Sequence, residues 1–224
     1  MRLVSATTLA LLLAISSQCR ASSNLSTSPA RAREIMGANF FGVEEAVHIF
    51  GLKPTVEQAS ELATIPFSEQ TLQRCQRTHI LVAVLPLTIV AIRNHVAAGL
   101  FYARAGAWYN HQAFAQSVSS TSGWHLVNKV PVAGSGARKW HDQVSLLRTI
   151  DEVPNTQVLV YTIIGYYLST GERLFSDSWV RCSDLASDGS RVGIRFSQGM
   201  VFIGSFWDYR SASDLRIASE YATK

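Results

Sequence analysis

Between residues 179 and 206, three short runs of alternating apolar and polar side chains are separated by Ser187-Asp188-Gly189 and by Ser197-Gln198-Gly199. Alternation gives each run one face to bury, and the turn residues leave no room for a crossover helix between runs. The chain must therefore double back on itself, and an antiparallel meander of 179–183, 191–196 and 200–206 is predicted. A meander needs cover for its apolar face. The preceding chain offers mostly helices, so the fold class is α+β, a single domain with helices mainly in the N-terminal half.

Thr55 and Gln58 form a capping box that opens a helix bearing Val56, Ala59, Leu62 and Ala63 on one face. Ser68 caps the next, with Phe67 and Leu72 spaced as a hydrophobic staple. Residues 79–85 form an unbroken apolar run ended by Pro86, the pattern of a strand buried on both faces. Residues 87–96 approach helical spacing, 100–103 suit a short strand, and 124–130 alternate as a half-exposed strand would. Ser135 is placed to cap a helix through 139–148. Pro154 is placed to open another that runs to 168, although Val158, Val160, Ile163 and Ile164 are β-branched and leave a strand as the alternative.

The N-terminus reads differently. Arg2 precedes a 13-residue apolar run, 3–15, and a small polar exit ends in Cys19-Arg20-Ala21. That order is the grammar of a signal peptide, with cleavage expected after Ala21. The run is shorter than the roughly 20 residues that span a bilayer, so stable membrane insertion is not expected. Residues 22–35 read as a flexible polar spacer carrying the sequon Asn24-Leu25-Ser26, and 36–224 as the folded domain. Removing 1–21 takes away Arg2 and Arg20 and lowers the formal net charge of +4 by two. A nucleic-acid partner loses its electrostatic basis with them. Secretion or export is the expected localisation; translation begun at Met36 would instead give a cytoplasmic product.

The mature chain keeps Cys75 and Cys182, too few for a disulfide scaffold. Cys75 and His79 are spaced to share a helix face, the minimum for a nucleophilic dyad; a buried thiol and a strand-opening histidine explain the same residues. The histidines lack zinc-site spacing, so neither a metal nor a cofactor is expected. Gly134-Ser135-Gly136 lacks the lysine of a phosphate loop and reads as a turn with a helix cap. Glu152, Asp184 and Asp188 lie in or beside the hairpins, where converging carboxylates supply acid–base chemistry. Arg173, Arg181, Arg191, Arg195 and Arg210 alternate with such acids and predict ion pairs along the solvent face. Trp179, Arg181 and Trp207 are the candidate binding residues, part of an aromatic set able to stack on a sugar.

From Asn39-Phe40-Phe41-Gly42 onward, the chain resembles a group of uncharacterised bacterial proteins. The resemblance rests on Ile65-Pro66-Phe67-Ser68-Glu69, Thr78-His79-Ile80-Leu81-Val82, Glu152-Val153-Pro154, and Val180-Arg181-Cys182-Ser183-Asp184 with Ser187-Asp188-Gly189. It implies one structural unit and no activity. The expected function is an exported, non-catalytic binding or effector protein of unknown target, with a protein or a carbohydrate as the candidate partner. The alternatives are a hydrolase using Glu152, Asp184 and Asp188, and an intracellular domain begun at Met36.

Overall fold

The computed structural model describes residues 25–102, 106–118 and 121–222, so the leader and Asn24 of the sequon lie outside the described residues. Regular structure begins inside the stretch read as spacer, with helix α1 (Pro29–Met36). Ser28 caps it by accepting the Arg31 N–H, and Pro29 occupies the first turn, where its missing N–H costs nothing. Ala32 and Met36, four apart, are buried, Arg33 bonds to Glu45, and Thr27 bridges to Ile65. The domain therefore starts before Met36, and a product begun there would lack this helix.

Strand β1 (Phe40–Phe41) leads into α2 (Val43–Phe50), α3 (Val56–Glu61) and α4 (Glu69–Cys75). Thr55 with Gln58, and Ser68, cap α3 and α4 as expected. The apolar face expected of α3 is not buried: Val56 is exposed and Leu62, just beyond the helix, does the packing. Its capping box, rather than burial, holds that turn and a half.

Strand β2 (His79–Val84) is buried along its whole length. It is followed by α5 (Ile89–His95), α6 (Ala113–Gln116), β3 (Gly123–Asn128), α7 (Trp140–Val144) and β4 (Asp151–Glu152). Ser135 does not cap α7; its hydroxyl donates to the Val132 carbonyl, and Lys139 stands at the cap position.

Helix α8 (Thr156–Thr170) resolves the ambiguity of the β-branched run in favour of helix. Asn155 caps its start, Gly171 ends it at φ +76°, and residues 156–166 are buried on every side. A helix apolar all round belongs inside a core. No helix of the described residues is long and apolar enough to cross a membrane.

The meander follows as β5 (Trp179–Leu185), β6 (Arg191–Ser197) and β7 (Met200–Phe206), and the chain closes with β8 (Leu215–Ile217) and β9 (Glu220–Tyr221). Gln198 and Gly199 both take positive φ, 53° and 77°, the two-residue turn that matches strand twist in a hairpin. Within the described residues the strands form two sheets, ordered β1-β2-β3-β9-β4 and β7-β6-β5-β8. Pairing is antiparallel except at β1–β2 and β5–β8. Helix α8 packs against strands of both sheets and against α2, α5 and α6, making it the shared core. At Gly165 the Phe41 ring comes so near that an added Cβ would lie 2.7 Å from it. Phe41 in turn packs edge-on against Phe50 and Tyr161. The class is thus α+β in a single domain, with helices mainly early and antiparallel strands late.

Candidate functional site

Two of the three candidate carboxylates are spent on neighbouring donors, and the third faces another acid. Asp184, in β5, accepts the Thr156 N–H at 2.6 Å and so completes the start of α8. Asp188 accepts the Ser190 N–H and hydroxyl at 2.9 and 2.6 Å, closing the hairpin turn at Gly189. These bonds, the Ser190 hydroxyl foremost, hold the Asp188 carboxyl below its usual range. Glu152 stands in β4 opposite Glu220 of β9, whose buried carboxylate lies 2.7 Å from His125 Nδ1. Burial first, and then the Glu220 charge, push the Glu152 carboxyl up, with His125 opposing them.

Of the candidate binding residues, Arg181 and Trp207 are brought together, but with the arginine buried beneath the loop. Arg181 is wholly buried: its guanidinium donates to Gln143 Oε1 and to the Trp207 and Arg210 carbonyls. Gln143 is fixed by donating to the Ser135 and Leu215 carbonyls. Burial lowers the Arg181 pKa to about 10. It props up the loop after β7 from beneath, where Trp207 and Tyr209 lie parallel and exposed. Trp179 lies over Gly204 and edge-on to Phe206, half-buried on the sheet. Trp124 and Trp108 spend their N–H groups on the Leu62 and Ile203 carbonyls. Of the arginines expected in a surface ladder, Arg191 does pair with Asp208, while stacking 3.7 Å over Trp140.

Cys75 and Cys182 are free and buried, and burial raises both thiols. His79 Nδ1 is 2.8 Å from the Thr78 hydroxyl, and burial lowers its pKa to about 4. Helix α4 ends at Cys75 and His79 opens β2, so the two share no helix face, and a neutral thiol and a neutral imidazole make no activated nucleophile. Among the described residues no group of three His, Cys, Asp or Glu side chains is placed to hold a metal ion.

A cavity of about 720 Å³, not expected from the sequence patterns, lies at the other end of α8. Its walls come from the turn after α4 (Arg77, Thr78), the segment after β3 (Lys129, Val130, Pro131), residues 172–178 beyond α8, and Arg216 of β8. Such a space accommodates a small organic ligand. Four cations, Arg77, Lys129, Arg173 and Arg216, face two carboxylates, Glu172 and Asp177. Among the described residues, Arg77, Arg173 and Arg216 have no carboxylate partner, and Arg216 Nε is buried without an acceptor. Leu174 and Phe175 supply buried apolar surface. Phe175 sits at φ +54°, a conformation that a bulky residue adopts only when its surroundings impose it and that gathers at ligand sites.

Lys129 is the organising residue. Its ammonium reaches both Glu172 oxygens at 2.7 and 2.8 Å, the Tyr166 hydroxyl at 2.9 Å and Asn39 Oδ1 at 3.2 Å. The Tyr166 hydroxyl lies 2.7 Å from Asn39 Oδ1 and 2.8 Å from Glu172 Oε2, either of which can take its proton. Asn39 is oriented by its amide N–H, which donates to the Gln76 carbonyl. Burial works to raise the Glu172 carboxyl, but bonds from Lys129 and Tyr166 outweigh it and hold the group low. Against burial, Glu172 and Tyr166 raise Lys129, keeping it charged.

The signal for this site was present residue by residue: Arg77, Lys129 and Glu172-Arg173 each stand just beyond the end of an element. Nothing local says that those ends meet. The chain matches no family model, no curated protein and no solved structure, so its function is argued from this geometry.

Proposed function

We propose that this protein is a binding protein that holds a small organic anion in the cavity at the C-terminal end of α8. The observation that carries the reading is the trio Arg77, Arg173 and Arg216, three guanidinium groups without a carboxylate partner among the described residues, around a partly open, partly apolar cleft. Guanidinium groups suit planar, two-oxygen anions, because their N–H donors come in a fixed fork. Leu174 and Phe175 offer a surface for an apolar body behind the anionic group. Binding rather than turnover is favoured because the thiols are held neutral by burial and Asp184 and Asp188 are engaged in backbone bonds. Export, predicted by the leader-like first 21 residues, would set this binding outside the cytoplasm.

The test is titration calorimetry of the mature chain with citrate, benzoate and inorganic phosphate at low salt. At least one should bind, more weakly as salt rises, with affinity falling at least tenfold in Arg173→Ala/Arg216→Ala. No heat from any probe, or binding indifferent to the double substitution, would remove this reading.

A further inference from the structure

The wall of the cavity already carries an anion. Glu172 follows Gly171 directly, its side chain is 48% exposed, and its carboxylate takes the Lys129 ammonium on both oxygens and the Tyr166 hydroxyl on one. The arginine side of the same cavity has no such occupant. Lys129 and Tyr166 keep other anchors than Glu172: the Lys129 ammonium bonds to Asn39 and its backbone N–H to the Thr78 carbonyl, and Tyr166 is set by α8 and Asn39. With Glu172 turned out to solvent, those donors would stay fixed and face the cavity.

The geometry points to Glu172 as an internal stand-in for one carboxylate of the ligand, and to a dicarboxylic acid as the ligand class. One carboxylate displaces Glu172 from Lys129 and Tyr166, and the other is held by Arg173 and Arg216. This rests on the reading that the cavity binds an organic anion. Exchange of one carboxylate for another on the same donors leaves Lys129 paired throughout, so no charge is stranded while the ligand enters. Inorganic phosphate is a single anionic group that already finds donors at the arginines, so it gains little from displacing Glu172, whereas the second carboxylate of a dicarboxylic acid gains Lys129 and Tyr166.

The experiment compares glutarate, adipate, butyrate and inorganic phosphate by calorimetry on the wild-type mature chain, on Glu172→Ala and on Asp177→Ala. Asp177→Ala removes the same charge from the lining without vacating Lys129, and so measures the general electrostatic gain. A dicarboxylate should bind the wild type at least tenfold more tightly than butyrate or phosphate. Glu172→Ala should tighten that dicarboxylate about tenfold and phosphate by less than threefold, whereas Asp177→Ala should shift both by equal factors. Equal tightening of all anions in Glu172→Ala, or a preference for phosphate, overturns the stand-in while leaving the anion cavity standing if Arg173→Ala/Arg216→Ala still abolishes binding. If no probe binds any of the proteins, the cavity reading and the stand-in fall together.

Discussion

The two ends of α8 obey the same electrostatic rule and arrive at different states. Acids belong at a helix start and bases at its finish, because unpaired N–H groups point one way and unpaired carbonyls the other. At the start, Asn155 and Asp184 accept backbone N–H groups, and Ser183 donates back to the Pro154 carbonyl. That end is closed. At the finish, Lys129 is paired but Arg77, Arg173 and Arg216 surround open space. Charge gathered at a helix end is structural where backbone answers it, and free for a ligand where a cavity intervenes.

The contrast is most strongly broken from the middle. Gly165→Val would drive a side chain into the Phe41 ring, which Phe50 and Tyr161 prevent from yielding, and should cost about 3 kcal/mol in urea denaturation. At the closed end, Asp184→Ala strands the Thr156 N–H and should cost about 2 kcal/mol. The open end should behave oppositely: Arg173→Ala and Arg216→Ala should each change stability by less than about 0.5 kcal/mol, because no carboxylate is lost with either. A large loss there would mean that these arginines are structural.

The smallest expected effect lies in the pH response of two glutamates. Glu152 has a raised pKa in the fold, so its protonated form is favoured there, and the associated stability is present in acid and lost as pH rises through that pKa. Glu152→Gln should therefore stabilise by a few tenths of a kcal/mol, roughly, at pH 7 and by nothing at pH 3. Glu172 has a lowered pKa, and its contribution is present above the unfolded value and lost as pH falls. Glu172→Gln should thus destabilise by a similarly small amount at pH 7 and not at pH 3. Thermal unfolding of both variants at the two pH values reads opposite signs at neutral pH if the ends differ as described.

What could be read from sequence was local. Thr55, Ser68 and the Gln198-Gly199 turn were legible because a cap or a tight turn is decided within four residues. Helix α1 was missed although Ser28-Pro29 with Ala32 and Met36 carried both a start signal and a buried pair; its arginines and serines masked a face only two residues wide. Ser135 was misread because a hydroxyl near a helix start can satisfy a preceding carbonyl as readily as a following N–H. The site was illegible for a different reason. Residues 77, 129, 172–178 and 216 come together through the packing of α4, β3, α8 and β8, and no spacing rule connects them.

Strands β8 and β9 belong to different sheets although two residues separate them, and β9 enters between β3 and β4 as an interior strand. A ribosome that has released the first 200 or so residues has therefore delivered β3 and β4 without the strand that joins them. Until residues 215–221 emerge, Val127 and Glu152 lack their partner Glu220, and β5 is a bare edge. Closure of both sheets is then a single late event that waits for synthesis, and the incomplete chain must be kept from pairing its open edges with others in the meantime.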